Sequence, residues 1–250
     1  MSASLERLAV VTGGIGGLGT EICRQLAYSG RRVIAADLAS RGERIDEFRS
    51  AMTDLDGRVQ FEALNVADFD QCVAFADRVR ASHGEVDILV NAAGITRDTT
   101  LRKMDARQWS DVIRVNLDGV FNLTRQFVDS MCERGFGRIV NISSVNGQTG
   151  QFGQTNYSAA KAGMHGFTMA LAREVARKGV TVNSVSPGYC RTQLVMQMSE
   201  KIREDIIAKI PVGRLGEPFE IARAVDFLTA ESAGFITGAN IPVNGGYFMD

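Results

Sequence analysis

The chain has 250 residues, 45% hydrophobic and 23% charged, an ordinary globular composition with ample apolar material for a core. A formal net charge of −1 leaves no basic field to recruit DNA or RNA, so nucleic acid is excluded as an expected partner. Cys23, Cys72, Cys132 and Cys190 are scattered, with no C-x-x-C pair and no histidine at ligand spacing, so neither a disulfide framework nor a metal site is expected.

Such thiols fit a reducing cytoplasm. The opening MSASLERLAVV lacks the basic-then-apolar layout of a signal sequence. No apolar stretch approaches the ~20 residues that a spanning helix needs. A cytoplasmic protein without a membrane partner is therefore expected.

Short runs rich in branched residues recur along the chain: LAVVT (8–12), RVIAAD (32–37), VQFEAL (59–64), VDILVN (86–91), GRIVNIS (137–143), VTVNSVS (180–186) and NIPV (240–243). Their apolar residues run almost continuously, which predicts strands buried on both faces. Longer amphipathic stretches such as GTEICRQLAYSG and DARQWSDVIRVNLDGVFNLTRQFVDSMCERG lie between them. This alternation predicts an α/β fold, a single Rossmann-type doubly wound domain over 1–250 with a parallel sheet of about seven strands and helices on both faces. Only residues 189–217 break the rhythm, and an insertion there, beyond a strand's carboxyl end, is placed to be a helical substrate lid.

The first strand runs into GGIGGLGTEI, with Gly14-x-Gly16-x-x-Gly19 and, on a shifted register, Gly13-x-x-x-Gly17-x-Gly19. Glycines there let the backbone approach a pyrophosphate at a helix N-terminus, although glycine turns also serve simple packing. The second strand ends on Asp37, 18 residues after Gly19, near the ~20 expected of a carboxylate that binds adenosine ribose hydroxyls. Asp37 would repel a 2′-phosphate and favours NADH; Arg41 and Arg44 keep NADPH possible, and a turn-opening role is the plain alternative.

Further along, the fifth strand ends beside Ser143 and Ser144, and a helix begins with Tyr157 and Lys161 four residues apart, on one face. Such pairs are common by chance. In combination with the nucleotide loop they point to acid–base chemistry, with Lys161 as the cation that favours the phenolate. Either serine could donate a hydrogen bond to a substrate carbonyl.

TGGIGGLG, NAAG (91–94), Tyr157-x-x-x-Lys161 and the PG of SPGYCRT (186–192) occur in the order found in the short-chain dehydrogenase/reductases, and the chain resembles that family over nearly its whole length. AGITRDTTLRKM (93–104) and NISSVNGQTGQFGQTNYSAAKAGMHGFTMAL (141–171) resemble most those members that reduce acetoacetyl-CoA in polyhydroxybutyrate synthesis. The resemblance implies reduction of that acyl-CoA thioester to the (R)-3-hydroxybutyryl form, a homotetramer, and Asn116, Ser144, Tyr157 and Lys161 as the catalytic set. Asn116 would hold a water linking Lys161 to solvent. It further implies a cofactor site at Gly13, Gly17, Leu18, Gly19, Asp37, Asn65, Val66, Asn91, Ala92, Gly94, Tyr157, Lys161, Pro187, Gly188 and Thr192. NAAG where many relatives have NNAG, and Asn65 where many have Asp, are departures at single contacts.

The loop between Ser144 and Tyr157 carries Gln148, Gln151 and Gln154 around Phe152. Solvent exposure is one reading. The other makes Gln151, Phe152 and Gln154 a wall for a short acyl group, faced by Tyr189, with Asp98 and Lys103 near the mouth. Two other functions are weighed. One is a 3-oxoacyl-(acyl-carrier-protein) reductase, for which Arg134, Arg138 and Lys178 would supply a basic surface; the other is a nucleotide sensor without turnover.

Overall fold

The computed structural model describes residues 6–55 and 57–249; residues 1–5, part of the segment read as lacking a signal layout, lie outside them. Seven strands form one sheet: β1 (Leu8–Thr12), β2 (Arg32–Asp37), β3 (Val59–Ala63), β4 (Ile88–Asn91), β5 (Gly137–Ile142), β6 (Val180–Pro187) and β7 (Asn240–Val243). Their order is β3-β2-β1-β4-β5-β6-β7 and every neighbouring pair is parallel. The order reverses between β1 and β4, so the loops leaving those two strands part and open a crevice at their carboxyl ends.

Helices α1 (Gly17–Tyr28), α2 (Gly42–Ala51), α3 (Phe69–His83), α4 (Ala106–Ile113), α5 (Gly119–Arg134), α6 (Asn146–Thr149), α7 (Thr155–Val175), α8 (Gln193–Met196), α9 (Glu200–Ile207) and α10 (Pro218–Thr229) complete the chain. Successive strand residues supply opposite faces. Ala9 and Val11 pack with Ile22 and Leu26 of α1 and Ile221 and Val225 of α10. Leu8 and Val10 pack with Phe75 of α3, Phe127 of α5 and Val175 of α7.

The continuous runs of β1, β2, β4, β5 and β6 are buried as expected, but β3 and β7 are only partly so. They are the two edges of the sheet and have a neighbour on one side only. The long amphipathic stretch after position 104 divides at a π-helical turn, Arg114–Asp118, between α4 and α5. A capping box opens it, in which Asp105 accepts from the Gln108 N–H and the Gln108 side chain accepts from the Asp105 N–H.

Residues 189–217 leave the sheet after β6 and return to α10 with their ends closed on each other. Gly216 N–H donates to the Tyr189 carbonyl at 2.9 Å and Arg191 N–H to the Gly216 carbonyl at 2.8 Å. The excursion carries α8 and α9 and has a small core of its own, Val195, Ile210 and Leu215. Among the described residues no helix is long and apolar enough to cross a membrane, and no group of three His, Cys, Asp or Glu could hold a metal ion.

Candidate active site

The crevice is a cleft of about 430 Å³ whose walls include Gly13, Gly17, Leu18, Gly19, Asp37, Asn65, Val66, Ala92, Gly94 and Thr192. Its floor is close-built. Gly13 has φ +63°, and a Cβ there would lie 2.9 Å from the Ala92 carbonyl oxygen. A Cβ at Gly19 would lie 2.0 Å from the Gly13 carbonyl oxygen, so a side chain is excluded at both. Helix α1 starts at Gly16 without a side-chain cap, which leaves its first N–H groups turned to the cleft. Thr12, given no role by the sequence reading, ties the two loops together: its hydroxyl accepts from Ala92 N–H at 3.0 Å and Ala93 N–H at 3.1 Å.

Asp37 is buried, and its Oδ1 accepts from the Leu38 N–H at 2.8 Å and lies 3.4 Å from Arg41 Nε. Its Oδ2 is buried without a partner. A buried carboxylate oxygen left unpaired is costly, and ribose hydroxyls would satisfy it. With the glycine floor and the uncapped helix, this makes the cleft a fit for a dinucleotide. Arg44 donates to Gln193 Oε1 at 2.9 Å, so α2 meets α8 across the cleft.

Five expected cofactor residues, Asn91, Tyr157, Lys161, Pro187 and Gly188, lie outside the cleft lining. Asn91 is buried, with its amide donating to Asn141 Oδ1 at 2.8 Å and Thr124 Oγ1 at 3.2 Å, so it braces β4 against β5 and α5. Pro187 ends β6, and Gly188 faces a small hollow under the 189–217 excursion, where a Cβ would lie 2.8 Å from Asn244.

Two of the expected catalytic residues, Asn116 and Lys161, lie next to Gly94. A Cβ placed on that glycine would be 3.5 Å from Asn116 Oδ1 and 3.6 Å from Lys161 Nζ. Asn116, in the π-helical turn, is fully buried. It clamps Ile95 with both side-chain polar atoms, accepting from its N–H at 2.8 Å and donating to its carbonyl at 2.9 Å. The side chain thus fixes the wall of the cleft.

The two serines separate clearly. Ser143 donates to the Lys161 carbonyl at 2.9 Å and pins α7 to β5. Ser144 accepts from the Asn146 N–H at 3.1 Å, and its hydroxyl is near enough to the Tyr157 phenol to favour the phenolate.

The expected lowering of the tyrosine by Lys161 is absent. Burial pushes the Tyr157 phenol up to about 12, the Ser144 hydrogen bond opposes this, and the charge of Asp98 adds to it. Burial also pushes Lys161 down to about 7. Its Nζ donates to the Ile142 carbonyl at 2.7 Å and lies 5.5 Å from the centre of the Tyr157 ring. Both groups sit where their charged forms are poorly solvated, and desolvation outweighs attraction across that gap.

Around the mouth, Gln154 differs from its expected place on the acyl wall. Its amide accepts from Asn146 Nδ2 at 2.9 Å and donates to Asp98 Oδ2 at 2.8 Å, making it a strut between the loops. The Thr99 N–H donates to the Gly153 carbonyl at 2.9 Å alongside. Phe152 is 88% exposed, and Gln151 and Lys103 are also exposed, so these three border open space above the site. Tyr189 stands at the start of the 189–217 excursion, its ring meeting Tyr247 edge-on at 5.5 Å.

Of the basic residues considered for a carrier protein, Arg138 is buried and donates to the Ala230 and Glu231 carbonyls. Arg134 is paired with Asp87. Lys178 is exposed, as is Arg134.

Similarity to known proteins runs along the whole chain. The profile of the short chain dehydrogenase family matches residues 7–203. An acetoacetyl-CoA reductase of Allochromatium vinosum is 53% identical over 98% of this chain and 100% of its own length. One from Cupriavidus necator is 52% identical over 98% of this chain and 99% of its own. A 3-oxoacyl-(acyl-carrier-protein) reductase of Haemophilus influenzae is 41% identical over 97% and 98% respectively.

Proposed function

The chain belongs to the short-chain dehydrogenase family, and from there we propose that it reduces acetoacetyl-CoA to (R)-3-hydroxybutyryl-CoA, with NADH preferred, in polyhydroxybutyrate synthesis. The observation that carries this reading is the meeting of Ser144, Tyr157 and Lys161 at the end of a cleft built for a dinucleotide. The identity to two acetoacetyl-CoA reductases supports the choice of thioester. An initial-rate matrix crossing NADH and NADPH with acetoacetyl-CoA, longer 3-oxoacyl-CoAs and the carrier-protein thioester tests it. A strong preference for the carrier-protein thioester would replace it with the carrier-protein reaction, which the Haemophilus relative favours and the occupied Arg134 and Arg138 disfavour.

A bound reduced nicotinamide would supply the hydride. Tyr157, protonated at neutral pH, delivers the proton to the ketone oxygen, and Ser144 orients that oxygen and stabilises its developing charge. Lys161 and the Asn116 clamp hold the phenol's surroundings in place. Asp37 presents its unpaired Oδ2 to the ribose hydroxyls.

Charged hydrogen bonds of this kind are worth about 1.5–3 kcal/mol. Asp37→Ala is therefore expected to raise KM for NADH by about 10- to 100-fold and to relax discrimination against NADPH, with Arg41 and Arg44 left to meet a 2′-phosphate. Unchanged kinetics with both cofactors would remove Asp37 from the ribose site. For Gln151→Ala the expected effect is an increase of about three- to tenfold in KM for acetoacetyl-CoA with little change for NADH, measured by initial rates; this corresponds to one neutral hydrogen bond.

A homotetramer is the proposed assembly. Exposed Phe69, Trp109 and Phe121 near α4 and α5, and Phe219, Phe227 and Phe235 around α10, leave apolar surface on two sides of the molecule. Light scattering on the eluted protein would refute it by returning a monomer mass.

A further inference from the structure

The tail beyond β7 is moulded to the underside of the lid. The Val212 N–H donates to the Gly245 carbonyl at 3.1 Å. Gly245 has φ +63°, and a Cβ there would meet Ile210 Cγ2 at 2.8 Å, so the turn requires glycine to come this close. Asn244 holds the turn's shape, accepting from the Gly246 N–H and donating to the Phe248 carbonyl, both at 2.9 Å.

This turn presents Tyr247. Its ring packs on the lid core of Val195, Ile210 and Leu215 and stands edge-on to Tyr189, at an interplanar angle of 68°. The Tyr247 hydroxyl lies close enough to that of Tyr189 to raise its phenol, after burial. Tyr189 and Tyr157 both feel the charge of Asp98, so both lie within range of that carboxylate.

We infer that Tyr247 is a positioning residue that sets acyl-chain length, by holding Tyr189 and the base of the lid against the pocket. The inference rests on the reductase reading above. An edge-on aromatic neighbour packed on the same small core restricts Tyr189 to one orientation. Without it, Tyr189 can swing toward the space that Tyr247 vacates, and the pocket lengthens.

The test compares the full-length parent with Tyr247→Ala and Tyr247→Phe. It measures kcat/KM for acetoacetyl-CoA and 3-oxohexanoyl-CoA at saturating reduced cofactor, NADH affinity by fluorescence titration, and trypsin cleavage at the exposed lid residues Lys201 and Lys209. Tyr247→Ala is expected to lower kcat/KM for acetoacetyl-CoA about tenfold, chiefly through KM, in line with the loss of ~1.4 kcal/mol. It should also shift the ratio at least fivefold toward the six-carbon substrate and speed lid cleavage, with NADH affinity held within twofold. Tyr247→Phe keeps the ring and should keep the ratio within twofold of the parent.

An unchanged substrate ratio in Tyr247→Ala would overturn the inference, as would an equal loss for both thioesters and NADH, the mark of a purely structural residue. If the alanine variant does not fold, Tyr247→Leu is judged by the same criteria. A parent that reduces neither thioester sinks the reductase reading separately. The cleavage assay then decides the anchor alone, and unchanged cleavage refutes it.

Discussion

Tyr157→Phe is expected to lower kcat for acetoacetyl-CoA reduction by about 10²- to 10⁴-fold, the usual worth of a positioned general acid, while NADH binding and thermal stability stay near the parent values. Only the hydroxyl is lost, and the Ser144 side chain acts on it. A phenol pushed up to about 12 keeps its proton from pH 6 to 9, so its ionisation does not limit the reduction in that range. The reverse oxidation needs the phenolate and should accelerate as pH rises. A Phe variant that retains more than a tenth of parental kcat would show that the proton comes from elsewhere. Stopped assays at several pH values, with fluorescence titration of NADH, make the comparison.

Lys161→Met is expected to separate activity from stability. Activity should fall by at least about 10²-fold, because the charge beside the phenol is gone. Stability should rise. Burial pushes Lys161 down to about 7 in the folded protein, whereas an unfolded lysine titrates near 10.5. Between these values the unfolded chain holds more protons than the folded one, so stability climbs with pH across this window, and the full cost of burying the charge is felt below pH 7. Methionine removes both the cost and the slope.

The gain in Tm should therefore be largest at or below pH 7 and fade toward pH 10, at about 2–4 °C for each kcal/mol recovered. The Ile142 carbonyl loses a donor in exchange, which trims the gain. In the parent, kcat/KM for the ketone should decline above pH 7 as Lys161 loses its proton, and this limb should be missing from the variant's residual activity. Equal Tm differences at pH 6 and pH 10 would contradict a lysine that is charged in one state and neutral in the other.

Much of the molecule was legible in the primary structure because its signals are local or periodic. The seven branched runs predict strands that agree with the observed ones to within one or two residues at each end, and 189–217 brackets the excursion closed by the Tyr189–Gly216 contact. The glycine spacing and Asp37 announce a dinucleotide cleft, since steric exclusion of Cβ and a carboxylate at a strand's end leave direct marks in sequence.

Residue identity does not reveal which partners a side chain takes. Gln154 carries no mark that distinguishes a strut from an acyl wall, and Arg138 reads as a solvated charge until the neighbouring backbone carbonyls enclose it. The roles of Thr12 and Tyr247 were not legible because their partners lie about 80 and 58 positions away along the chain.

The amino-acid sequence by itself determined the alternating fold, the nucleotide end and the Tyr157–Lys161 spacing, because strand period, helix period and glycine sterics act over a few residues. The tertiary structure alone decided which strands lie at the sheet edges, which serine meets the phenol, and how burial moves Tyr157 and Lys161 in opposite directions. Desolvation and hydrogen-bond pairing depend on what packs around a group from distant parts of the chain, and only the folded molecule brings those parts together.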